Sequence, residues 1–394
     1  MKVVSIVGPS QAGKTTLAGA LATLEGAKPR KHTLFGDAAV TRFAFMGEDW
    51  ALLEAPGGAD HLPQLGPMLA ASDAVVLCVP AEVEAAVLCA PYLRLIEAAA
   101  LPTFIFINKI DIAQDRTSEI VAALQAFCPH GIVLRQIPIR KDGQVIGAVD
   151  LISERAWEYH DHARSSLMEL PAEIREREAE ARAELLEHLA DFDEALLTEL
   201  IEDQAPMTGE VYEVSTKVLQ HHDLLPALLG SASHGNGMMR LMKSLRHEVP
   251  GVAETRARIG ALAVGALADT VKHLGKTVLV RALAEGVAPG AKLCGAAVGS
   301  IVDLDGKTQL GALKAGEIGL TVKTDHLSLS GPLYTAEGLL PNPDWMAAHP
   351  ANHRLILEPE NERDETRLAA ALPKLLEIDP GLSLGTDPAT GKTV

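Results

Sequence analysis

Apolar positions follow two rhythms along this chain, and the change between them marks out its parts. Near the N-terminus the apolar runs are short and nearly continuous: Val3–Val7, Ala74–Val79 and Thr103–Ile107. Such a run has both faces buried, so each predicts an inner strand. Helical spacing follows each one: from Lys14 onward, on to about Ala99, and again after Ser118. Val40–Met46 and Asp49–Leu53 predict two strands about a turn at Gly47. Buried strands alternating with helices predict a parallel sheet covered on both faces.

The pattern changes near residue 131. Ile132–Leu134, Ile137–Ile139 and Val145–Val149 are short apolar runs, and Asp142-Gly143 between the last two predicts a hairpin. Pro138 has no N–H to donate, which places its strand at a sheet edge. Residues 169–203 are rich in Glu and helix formers. Leu224–Leu229 then reads as a buried strand and Asn236–His247 as a helix. From about Arg256 helical spacing gives way to short strands such as Thr277–Val280 and Ile318–Val322. Turns at Ala288-Pro289-Gly290 and Asp303–Gly306 separate such runs. That spacing predicts a β-barrel or sandwich. Pro341-Asn342-Pro343 reads as a linker. A strand at Arg354–Glu358, a helix at Glu362–Ile378 and a turn at Asp387–Gly391 follow. Strand, helix and turn alone cannot bury their apolar face, so the last unit is expected to be incomplete.

Composition narrows the class. The 394 residues suffice for two to three domains, and 47% apolar with 22% charged residues is a globular balance. The net charge of −17 argues against direct DNA binding. Residues 169–203 hold 13 acidic and 3 basic residues, so over half of that net charge sits on one helical stretch. It reads as a solvated face or a docking surface. Cys78, Cys89, Cys128 and Cys294 form no C-x-x-C pair, and no apolar run reaches the ~18 residues that span a bilayer. The expectation is a cytoplasmic monomer away from the membrane.

One segment carries specific chemistry. Gly8-Pro9-Ser10-Gln11-Ala12-Gly13-Lys14-Thr15 fits G-x-x-x-x-G-K-[ST] between a predicted strand and a predicted helix, and Thr16 follows. Backbone N–H groups of such a loop face nucleotide phosphates, Lys14 neutralises their charge, and the Thr15 hydroxyl binds Mg²⁺. Asn108-Lys109-Ile110-Asp111 ends a predicted strand, where doubly wound sheets place ligand contacts. The Asp111 carboxylate can accept both donors of a guanine edge, Asn108 can bridge base and phosphate loop, and the Lys109 stem can cover the ring. Ser231 and Ala232 follow another predicted strand, and the Ala232 N–H can meet a guanine oxygen. GTP or GDP with Mg²⁺ is the expected ligand, and ATP is disfavoured.

These segments, with Glu358-Pro359 and Asp387–Thr393, resemble the N-terminal part of elongation factor G and its paralogues, the translational GTPases. The resemblance spans essentially the whole chain. It implies an α/β P-loop G domain at 1–252 with an inserted subdomain at about 134–220. An all-β barrel at 253–340 and a partial α+β ferredoxin-like domain at 350–394 follow. It also implies the ribosome, including its stalk protein, as partner. The family carries Asp-Thr-Pro-Gly-His where this chain has Glu54-Ala55-Pro56-Gly57-Gly58. Glu54 replaces an Asp that helps hold Mg²⁺, and Gly58 replaces the His that orients the attacking water. Only 42 positions separate Lys14 from Pro56, and the family's Arg-Gly-Ile-Thr segment is missing. Thr33 is a weak candidate for its Mg²⁺-binding Thr, and His61 for the missing His. No catalytic residue is assigned. Three readings follow: a nucleotide-dependent binder with weak hydrolysis, a fully active ribosome-stimulated GTPase, or a non-hydrolysing interaction protein.

Overall fold

The structure, a computed structural model, describes residues 1–26, 28–346 and 353–394. The chain opens with β1 (Lys2–Val7), α1 (Lys14–Ala22), β2 (Arg30–Thr33), β3 (Ala39–Phe45) and β4 (Glu48–Glu54). Next come α2 (Leu62–Ala70), β5 (Ala74–Pro80), α3 (Ala85–Ala99), β6 (Thr103–Asn108), α4 (Thr117–Gln125) and β7 (Gly131–Leu134). An excursion of β8 (Gln136–Lys141), β9 (Gln144–Asp150), β10 (Arg155–Glu158), β11 (Ser166–Met168), α5 (Arg175–Ala190), α6 (Glu194–Ile201) and α7 (Thr208–Gln220) follows. The chain then returns through β12 (Leu224–Leu229), α8 (Met238–Glu248) and α9 (Val252–Ile259). Beyond them lie β13 (Ala263–Val271), β14 (Gly275–Ala282), several shorter strands and α10 (Glu365–Ile378).

The main sheet runs β2-β3-β4-β1-β5-β6-β12-β7. From β4 to β7 all neighbours are parallel, and only β2 and β3 pair antiparallel. Alternate residues of one strand enter different cores. Val3 and Val7 of β1 share a core with Val75 and Leu77, while Val4 and Ile6 share another with Val76, Phe104 and Trp50. Burial on both faces is why these strands are apolar without alternation.

The excursion between β7 and β12 folds as a separate four-stranded antiparallel sheet, order β11-β10-β9-β8, with α5–α7 around its own core. Pro138 lies on β8 at the edge, as its missing N–H requires. A buried ion pair fixes the root: Arg135 meets Glu248 of α8 at 3.0 Å. After α9 a six-stranded sheet forms, in the order Gln309–Leu310, Ser300–Val302, Ile318–Val322, β14, β13, Leu333–Tyr334. Asp73 joins this sheet to the first. Its carboxylate accepts from the Val3 N–H at 2.8 Å, from Arg281 of β14 at 2.7 Å, and from the Thr255 hydroxyl of α9. Arg281 and Asp73 are fully buried.

Two expectations need correction. Helical structure does not stop near Arg256: α9 runs through it and ends at Gly260, whose φ of +75° makes a left-handed cap. Arg354–Glu358 is not a strand. The segment has one backbone bond to the C-terminal turn, from the Leu357 N–H to the Thr393 carbonyl, and Leu355, Ile356 and Leu357 are exposed. It has the strand's sequence pattern but no ladder partner among the described residues. Helix α10 behaves similarly, burying Ile378 but leaving Leu375 exposed. Among the described residues no helix is long and apolar enough to cross a membrane.

Candidate nucleotide-binding site

The site is built where β1, β6 and β12 end. β1 delivers Gly8 directly beneath the neighbouring strand β5. A Cβ on Gly8 would lie 2.3 Å from the Cys78 carbonyl oxygen, and φ is +141°, so no other residue fits there. The loop closes by the Ala12 N–H donating to the Pro9 carbonyl, with Gln11 at φ +63°. It enters α1 at Gly13, whose φ is +92°. Lys14 curls back over the loop, and its Nζ donates to the carbonyls of Gly8 at 2.9 Å and Pro9 at 2.8 Å. Burial holds its pKa below the usual lysine value, against the pull of the nearby Glu54 carboxylate. Thr15 and Thr16 begin α1 with exposed side chains.

Asn108 is the joint of the site. It is 2% exposed. Its amide donates to the Ala12 carbonyl at 2.8 Å, and its oxygen accepts from the Ala232 N–H at 3.0 Å. One side chain thus ties the phosphate loop to the turn after β12. A Cβ on Gly13 would lie 2.4 Å from the same amide. The turn itself is closed by Ser231 and Asn236 exchanging backbone bonds of 3.0 Å. Lys109 takes φ +64°, turning the chain so that Asp111 follows on the same rim. Asp111 meets His234 at 3.5 Å, and His234 in turn meets Asp161 between β10 and β11 at 3.0 Å. Asp111 therefore lies on the rim that carries Asn108, with the His234 imidazole facing its carboxylate.

The divergent loop after β4 lies against the phosphate loop. A Cβ on Gly57 would sit 2.4 Å from the Ser10 nitrogen, so the two backbones touch. The Gly58 N–H donates to the Tyr92 hydroxyl of α3 at 3.0 Å. Glu54 is 4% exposed at the end of β4. It pairs at 3.1 Å with Lys31, which stands on β2. Thr33 is exposed on β2, two strands from Glu54 and so roughly 10 Å away. His61 lies in a helical turn that starts beyond Gly58, with its backbone N–H on the Gly58 carbonyl. Neither Lys31 nor Tyr92 was visible from the sequence. They meet the loop across 23 and 34 positions, which no motif spacing encodes. A cavity of about 1070 Å³ opens beside α1, between α8 and the four-stranded sheet, with Thr15, Thr16, Arg155, Trp157 and Lys243 on its walls.

The donor set fits a nucleotide and its metal. Gly8 and Gly13 let the loop pack against β5 and Asn108 where a Cβ would collide, a lysine lies on the loop, and the exposed Thr15 hydroxyl offers an oxygen donor. Known proteins agree. The sequence profile of the elongation factor Tu GTP-binding domain matches residues 36–251. An elongation factor G-like protein from Synechocystis sp. (strain ATCC 27184 / PCC 6803 / Kazusa) is 30% identical over 411 residues, covering 97% of this chain. This chain spans 61% of that relative's length. A crystal structure of a Thermus thermophilus protein superposes with a TM-score of 0.81 at 24% identity, over 100% of this chain and 63% of that one. The phosphate loop lies before the matched stretch, and Asn108, Asp111 and Ala232 lie within it. The chain belongs to the elongation factor Tu GTP-binding domain family, and its relative is elongation factor G-like.

Proposed function

We propose that this protein binds GTP and GDP with Mg²⁺ at the ribosome and hydrolyses GTP weakly. Gly8 to Thr16 hold the phosphates, with the Thr15 hydroxyl on Mg²⁺. Asn108, Lys109, Asp111, Ser231 and Ala232 hold the guanine. The observation that carries the weak hydrolysis is the loop after β4. Gly58 has no side chain to hold a water, and its N–H is already engaged by Tyr92. Catalysis at such a site is mainly positioning and electrostatics, so losing the group that orients water slows chemistry more than binding. The bound metal supplies charge neutralisation at the phosphates. This chain's residues bind, orient and exclude water.

In this reading residues 1–252 form the G domain with its insertion at about 134–220. Residues 253–340 form a barrel, and 350–394 the first half of a ferredoxin-like domain. The ribosomal stalk protein docks on the acidic helices of the insertion. Exposed Phe192, Leu197 and Ile201 on that acidic face favour such a contact. They also support the second reading, a non-hydrolysing interaction protein. We place the protein in the cytoplasm as a monomer.

The test is an equilibrium titration with fluorescent GTP, GDP and ATP analogues in Mg²⁺, then single-turnover hydrolysis with and without ribosomes. Guanine-selective binding without ribosome stimulation is expected. Rapid stimulated turnover would replace the proposal with a working GTPase. Absence of nucleotide binding would leave the interaction reading.

A further inference from the structure

The end of the main sheet away from the phosphate loop carries a polar cluster that nucleotide binding does not use. Strands β7 and β12 begin there side by side. The loop before β7 carries Cys128 and His130, the turn before β12 carries His222, and Glu97 reaches over from the last turn of α3. At about 3.3 Å per residue, the length of β12 puts roughly 20 Å between this cluster and the guanine turn.

Three donor groups converge within 4.8 Å of one another: the Glu97 carboxylate and the imidazoles of His130 and His222. His130 Nδ1 lies 2.5 Å and His222 Nε2 3.2 Å from the same oxygen, Glu97 Oε2. Cys128 Sγ lies 2.7 Å from the other, Oε1. His222 is 3% exposed, and its Nδ1 is buried without a hydrogen-bond partner. The loop is fixed in advance by Gln125 of α4. Its amide donates to the carbonyls of Cys128 and His130 at 2.8 and 2.9 Å, and its oxygen accepts from the Ile132 N–H at 2.7 Å.

Two imidazoles and a carboxylate form the donor set of zinc sites that keep a fourth position open. Donors about 2.05 Å from a tetrahedral ion stand about 3.3 Å apart. The two nitrogens stand 2.5 and 3.2 Å from the carboxylate oxygen, so a slight opening admits the ion. Mixed nitrogen and oxygen ligands select a borderline divalent ion over Mg²⁺ or Ca²⁺. We infer that Glu97, His130 and His222 bind a zinc-class divalent cation, with the Cys128 thiol orienting the carboxylate through its second oxygen. The ion ties α3, the α4–β7 loop and the α7–β12 turn together, and so clamps the root of the inserted subdomain. Cys128 then acts as a positioning residue, because an oriented carboxylate is a better ligand.

The test strips the full chain with a chelator and titrates it with Zn²⁺ against a chromophoric competitor, in excess Mg²⁺ to fill oxygen-only sites. Co²⁺ is titrated in parallel and read by its visible spectrum. One equivalent of Zn²⁺, tetrahedral Co²⁺ bands and a zinc-dependent rise in melting temperature are expected. His130→Ala changes a half-exposed side chain. It and Glu97→Gln should each weaken Zn²⁺ by more than about 100-fold, beyond the loss typical of an outer-shell change. Cys128→Ser retains a hydroxyl donor and should keep the bands. Failure of the wild type to bind, or undiminished binding by His130→Ala, overturns the site. Loss of zinc in Cys128→Ser overturns the three-donor assignment.

Discussion

Asn108→Ala tests whether one side chain sets the distance between the phosphate loop and the guanine turn. The substitution removes two buried hydrogen bonds, to the Ala12 carbonyl and from the Ala232 N–H. The two losses are unequal. The Ala12 carbonyl still receives the Cys78 thiol at 3.2 Å, whereas Ala232 is 5% exposed and its N–H loses the side chain that satisfied it. An orphaned buried N–H costs about 1–3 kcal/mol, and the weakened carbonyl adds about 1 kcal/mol. The expected cost is therefore about 2–4 kcal/mol, carried by the arrangement that nucleotide binding must restore. At about 1.4 kcal/mol per tenfold, guanine-nucleotide affinity should fall by up to about 30- to 700-fold. Asn108→Asp discriminates the two bonds. It keeps an acceptor for Ala232 but sets a second oxygen against the Ala12 carbonyl, so it should bind nearly as poorly. Fluorescent GDP titration reads affinity, and urea unfolding reads stability. Nucleotide affinity in Asn108→Ala within a factor of three of wild type would refute the joint.

Gly58→His should not recover ribosome-stimulated hydrolysis. There is room for the side chain, since the nearest atom to a Cβ is Ser10 Oγ at 3.9 Å, but φ is +121° and a non-glycine residue is strained there. Single-turnover assays read the rate, and a rise above wild type refutes the strain argument. Asp73→Asn should destabilise the fold by about 3–5 kcal/mol, because Arg281 is left buried without its carboxylate. A denaturation midpoint unchanged from wild type would contradict this. Alkali should also destabilise the fold. Burial pushes the Cys78 and Cys89 thiols up from 9.0 to about 12, so between those values the native chain keeps protons that the unfolded chain has lost. Stability should then fall as pH rises above 9, with a smaller fall in Cys78→Ala, measured by urea titration at successive pH values.

The legible parts of this chain are those whose cause is local. Continuous burial made β1, β5, β6 and β12 readable, and a missing N–H put Pro138 on an edge. Helix α2 was illegible because Pro63, Gly66 and Pro67 break its pattern, and it is packing that holds it. The candidate site divides the same way. Gly8–Thr15 and Asn108–Asp111, which we propose hold phosphate and guanine, are readable because such chemistry demands fixed residue types at fixed offsets. Glu54 and Gly58 announced a departure from the family but not what stands in their place. Lys31 and Tyr92 meet them, and they arrive from β2 and α3 across long sequence separations. Arg354–Glu358 shows the limit from the other side. Its continuous apolar run, Leu355-Ile356-Leu357, satisfies a local rule for a strand, but a strand is a relation between two segments. Where no described strand lies alongside, the same residues stay outside any ladder and exposed. Local pattern therefore proposes elements, and long-range pairing decides which of them exist. A site whose polar contacts are mostly long-range, such as Glu97 with His130 and His222, is the kind that sequence reading will keep missing.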